Sequence, residues 1–127
     1  MSYDHERFLV YRKASAFFGL AAECADRFPA KWAGLADQLR RAALSITLNI
    51  SEGAGEFSRG DKIRFYRFAR RSAAECAAAL DAARTLKIFE PKKAKQGETL
   101  LREISSMLTG LITSATVGVP PKTHPPA

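Results

Sequence analysis

Residues 35–55, reading LADQLRRAALSITLNISEGAG, decide the fold. Leu35, Leu39, Ala42 and Ile46 step by four, three and four residues, which puts them on one stripe of an α-helix. Two further steps reach Asn49 and Gly53, so the apolar stripe ends in a polar side chain and then in none. Arg41, Ser45, Asn49 and Glu52 form a neighbouring row spaced four, four and three, close enough to touch in series. A carboxylate beside a buried face needs a cation. Glu52 is therefore expected to join Arg41, Ser45 and Asn49 in a buried polar network that fixes helix register, with Arg70 arriving from the next antiparallel helix. Two other readings are a subunit contact and an acid–base role. The second lacks a nucleophile, a histidine or a second carboxylate beside Glu52. Gly53 and Gly55 are expected to end the helix in the left-handed conformation that glycine accepts. As a G-x-G they do not form a phosphate loop, because no strand precedes them and no Gly-Lys-Ser/Thr follows.

The flanking segments repeat the pattern. Upstream, Val10, Ala14, Phe17, Ala21, Cys24 and Phe28 alternate four and three, predicting a helix over about 6–28 that stops at Pro29. Phe8, Leu9, Tyr11, Phe18 and Leu20 widen its apolar arc, which fits either a second covering surface, as in an oligomer, or a central place in the core. Downstream, Ser58 and Asp61 make an approximate capping box for a helix over about 59–88. Its seam is Phe65, Ala69, Ser72, Cys76, Ala79, Ala83 and Leu86, small enough for a neighbour to approach closely. A last helix over about 92–116 carries Leu101, Ile104, Leu108 and Leu111 on one face. With the central helix at about 32–54, the reading is an all-α, antiparallel up-down-up-down four-helix bundle over residues 1–117. Residues 118–127, with four prolines, are expected to be a disordered tail.

A chain of 127 residues makes one domain. No uncharged apolar run is long enough to span a membrane, and the opening MSYDHERF has no signal-peptide core, so a cytoplasmic location is expected. Cys24 and Cys76 sit on seams among alanines and read as small buried hydrophobes, with a disulfide as the lesser alternative. The two histidines fall in terminal segments, so no metal site and no cofactor are expected.

The net charge is +7 and it is one-sided. Residues 1–58 hold seven Lys/Arg and seven Asp/Glu, whereas residues 59–127 hold thirteen and six. Arg59, Lys62, Arg64, Arg67, Arg70 and Arg71 crowd the start of the third helix against Asp61 alone. Cations there add to the positive end of the helix dipole instead of offsetting it, so the arrangement asks for an anion. Arg64, Arg67 and Arg71 share a face. Lys87, Lys92, Lys93 and Lys95 form a second basic zone around Pro91, about 35 Å away by helix rise. Phosphate binding, contact with an acidic protein and a merely solvated face all fit such clusters.

QLRRAALSI at 38–46, NISEG at 49–53, ARRS at 69–72 and the acid Glu75 resemble the four-helix bundle proteins encoded in intervening sequences of bacterial large-subunit ribosomal RNA genes, also called the S23 ribosomal protein family. The resemblance runs over about residues 8–114. Thr47, Glu56 and Arg71 depart from it, standing where the family has proline, arginine and glycine. The resemblance implies the bundle fold and, through related accessory proteins of diversity-generating retroelements, a pentameric assembly that binds nucleic acid through basic surfaces. The functional expectation is a non-enzymatic homo-oligomer contacting RNA or DNA phosphates through Arg59, Lys62, Arg64, Arg67 and Arg71, with the lysines near Pro91 as a second zone. The alternative is an interaction scaffold serving a reverse transcriptase or ribosomal partner.

Overall fold

Four long helices and one short turn make up the fold in the computed structural model, which describes residues 3–117. They are α1 (Tyr3–Ala25), a 3-10 turn (Ala30–Trp32), α2 (Ala33–Gly55), α3 (Arg59–Thr85) and α4 (Pro91–Val117). Connections this short force each helix to run antiparallel to the one before it. Each packs on its chain neighbours, and α1 closes the ring against α4. The four-helix bundle read from the heptad-like spacing is thus the observed architecture. The segment expected to be a tail, 118–127, lies outside the described residues.

The stripes are the core. Val10, Ala14, Phe17, Ala21 and Cys24 of α1, Leu39, Ala42 and Ile46 of α2, and Leu101, Ile104, Leu108 and Leu111 of α4 are all buried. On α3 the small residues Ala69, Ser72, Cys76, Ala79 and Ala83 are buried as the spacing predicts. Its large contributors, however, are Tyr66 and Leu80, both fully covered, while Phe65 is only half-buried. Both cysteines are buried free thiols, and burial pushes the Cys76 thiol up to about 12, an inert group at neutral pH.

The helix ends show how local chemistry sets boundaries. α1 stops at Ala25, three residues before the expected Phe28, because the chain tightens ahead of Pro29. The amides of Arg27 and Phe28 donate to Cys24 and Ala25, i to i−3 bonds that turn Phe28 inward against Phe89 at a ring separation of 6.0 Å. Ser58 caps α3 by accepting from the Asp61 amide at 3.1 Å. Glu90 caps α4 by accepting from the Lys92 and Lys93 amides, ahead of which Pro91 occupies the first helical position.

The expectation for Gly53 and Gly55 fails. Neither has positive φ, and α2 stays helical through Gly55 before Glu56 leaves in an extended conformation. Gly53 is needed for close approach: a Cβ there would lie 2.7 Å from Cε1 of the buried Tyr66 ring. Among the described residues the left-handed conformation belongs instead to Lys87, with φ of 58°, at the end of α3.

Candidate nucleic-acid interface

The polar row on α2 forms a smaller network than its spacing suggests. Ser72 of α3 donates its hydroxyl to Ser45 Oγ at 2.9 Å. Asn49 Nδ2 donates to Ser45 Oγ and to the Ser45 carbonyl at 3.0 and 2.9 Å. Three short side chains thus bridge α2 to α3 near the core. Arg41 and Glu52 are exposed and take no part. Arg70 turns the other way and donates to Thr109 of α4 at 3.1 Å. The expected buried Glu52 carboxylate is corrected by rotation: the α2 core centres on Ala36, Leu39, Ala43, Ile46 and Ile50, which swings residue 52 out to solvent. Ser72 is the member of this network that the row along α2 could not announce, because it stands on the other helix.

The basic cluster of α3 has two layers. Lys62 is half-buried and donates to the carbonyls of Gly53 and Ala54, both at 3.3 Å. Arg7 donates to the Ala54 carbonyl at 3.3 Å from the other side. Two cations therefore satisfy the last carbonyls of α2, at the negative end of its dipole. Arg59, Arg64, Arg67 and Arg71 form the outer layer, all exposed. Arg64 reaches Asp61 at 3.7 Å, one turn away in solvent, a pair too open to neutralise it strongly. Its guanidinium lies over the Phe65 ring at 5.0 Å, and that of Arg71 over Phe68 at 5.9 Å. A guanidinium held against a ring keeps its N–H edge turned outward. Arg59, Arg67 and Arg71 form no ion pair among the described residues.

The second zone divides similarly. Lys93 is engaged with Glu23 of α1 at 2.6 Å, and this bond lowers the Glu23 pKa. It ties α4 to α1 and is withdrawn from the expected set. Lys87, Lys92 and Lys95 are exposed without ion pairs among the described residues. Further along the same interface Lys13 and Glu103 pair at 2.6 Å, and on the other side Arg84 of α3 pairs with Glu98 of α4.

Phe57, in the α2–α3 connection, is the functional candidate that periodicity missed. It is fully exposed and lines a recess with Arg59, Lys62, Ser114 and Ala115. A lone aromatic between a glycine-rich helix end and a serine cap carries no repeat to betray it. Among the described residues no group of three metal-ligating side chains occurs, and no helix is long and apolar enough to cross a membrane.

Fold and surface together define a small four-helix bundle protein whose third helix presents uncompensated arginines. Residues 6–110 match the model of the 23S rRNA-intervening sequence protein family, and the chain belongs to that family. A crystal structure from Bacteroides thetaiotaomicron, of a protein with unknown function from the S23 ribosomal protein family, is similar at a TM-score of 0.79 and 20% identity, covering 85% of this chain and 98% of that one. Among curated proteins none matches this chain.

Proposed function

We propose that the protein is a non-enzymatic, oligomeric nucleic-acid-binding bundle that contacts phosphates through the outer layer of α3. The observation that carries this reading is the exposure of Arg59, Arg67 and Arg71 without carboxylate partners among the described residues, beside an Arg64 only weakly compensated. Arginines left unneutralised on one helix disfavour one another unless an anion sits among them, and Arg59, in the first turn of α3, also faces the positive end of the helix dipole. Polyphosphate supplies that anion repeatedly, and phosphate contacts give affinity without base specificity. Lys87, Lys92 and Lys95 extend the basic surface to the opposite end. RNA is the favoured polymer because the family is named for sequences within 23S rRNA.

The test is the salt dependence of binding. Reversing Arg64, Arg67 and Arg71 to glutamate should weaken binding and reduce the slope of log K against log salt by about two, as expected when three single-strand phosphate contacts are lost at ~0.7 each. Equal affinity of wild type and triple variant across salt would discard the site.

A second reading, an accessory subunit that contacts a protein partner such as a reverse transcriptase, is favoured by Phe8 and Leu48, exposed by 60% and 54%. Indifference of the wild type to RNA and DNA at low salt would select it.

A further inference from the structure

Phe57 is exposed at 101% of its reference area, whereas Phe8 and Phe68, next among the exposed phenylalanines, are at 60% and 38%. A phenyl ring wholly in water forgoes the burial its neighbours gain. The connection does not demand it, since Glu56 and Phe57 simply lead out of α2 toward the Ser58 cap. Around the ring, Phe57, Arg59, Lys62, Ser114 and Ala115 line an open recess of about 370 Å³. That is within the roughly 300–1,000 Å³ of small-ligand sites. Its wall combines a bare aromatic face, an exposed guanidinium, a half-buried ammonium and a hydroxyl.

We propose that this recess takes one unpaired nucleobase with its phosphate, the base stacked on Phe57 and the phosphate held by Arg59. The proposal rests on the nucleic-acid reading above and gives it a substrate class, single-stranded segments or ends. A base inside a continuous duplex has both faces covered by its neighbours and cannot reach the ring, whereas a splayed base can. Every base has a stacking face, so the site selects strandedness and not sequence. Arg67 and Arg71 lie about 12 and 18 Å farther along the α3 axis and about 80° and 120° around it from Arg59, so following phosphates would reach them only by wrapping partly around the helix. The chain's own residues beyond Val117 are the competing occupant, since α4 passes the recess at Ser114 and Ala115. They include Lys122 and His124 and no acidic side chain, so they repeat the charge of Arg59 and Lys62. Charge favours a polyanion.

The test compares fluorescein-labelled single-stranded RNA with a blunt, fully paired RNA duplex of equal length, at matched salt, on the full chain. Phe57→Ala should weaken the single strand about tenfold and leave the duplex unchanged, with Phe57→Tyr restoring the loss. Three outcomes would overturn the assignment: no loss, equal loss on both RNAs, or tighter single-strand binding by Phe57→Ala, as relief from an occupying tail would give. A change of subunit number in Phe57→Ala on light scattering would also overturn it, making the ring a subunit contact. A silent Phe57→Ala beside a wild type that binds both RNAs defeats the recess alone. A wild type that binds neither defeats the nucleic-acid reading as well.

Discussion

At the scale of single residues, Gly53 carries the most structural weight for its size. Alanine at a helical glycine ordinarily gains about 1 kcal/mol, but here its Cβ would meet the Tyr66 ring at 2.7 and 3.0 Å and the Phe65 Cβ at 3.3 Å. Tyr66 is fully buried, so its ring has nowhere to withdraw. Overpacking of this kind costs about 1–3 kcal/mol and should win. Gly53→Ala is expected to lower stability by up to about 2 kcal/mol in chemical denaturation, while Gly110→Ala, which meets nothing within 4 Å, should raise it. The sequence marks Gly53 as special by its place on the seam. Its reason is the distance between α2 and Tyr66, which no spacing along one helix reports. Glu52 teaches the same lesson, since a row of polar residues gives neighbours on one helix and not the rotation of that helix in the bundle.

At the scale of the helix, ends were less legible than faces. Stripes repeat, so each residue is corroborated by others three and four positions away. An end is decided by a few atoms. α3 closes with the Lys87 amide on the Arg84 carbonyl at 3.0 Å and the Ile88 amide on the Ala83 carbonyl at 3.1 Å. This is the paired closure that places its linking residue in the left-handed region. Glycine is the usual occupant, and lysine in its place left no signal to read. An L-residue there is strained by about 1–2 kcal/mol, whereas glycine adds about 0.5–1 of unfolded-chain entropy. Lys87→Gly is therefore expected to raise stability by up to about 1 kcal/mol, seen as a higher denaturation midpoint at unchanged m-value. No change or a loss would mean that the Lys87 side chain itself stabilises the turn. The Ser58 and Asp61 cap, by contrast, was legible because its two partners are both polar and three apart.

At the scale of the molecule, the surplus apolar residues of α1 and α2 bear on the proposed oligomer. Phe8 and Tyr11 of α1 line one recess with Ser51 and Ala54 of α2, and Leu44 and Leu48 of α2 are 41% and 54% exposed. Between α3 and α4 lies an open groove of about 330 Å³ lined by Ala73, Ala74, Ala77 and Leu101, with charged side chains at its rim. Under the proposed oligomer, the large projecting side chains of one copy would enter the small-residue groove of the next. Such a contact is head-to-tail, so it closes into a ring or propagates, and it does not make a two-fold dimer. If the oligomer is the pentamer that the family resemblance implies, light scattering should give about five times the 13.9 kDa chain mass. Leu48→Asp on the projecting face and Ala77→Glu in the groove should each reduce the particle to a monomer, and mixing the two variants should restore at most a single contact per pair. A two-fold dimer would instead lose its contact through one of these faces while the other substitution stayed silent. A monomeric wild type would remove the oligomer altogether and leave the exposed leucines for a different protein partner.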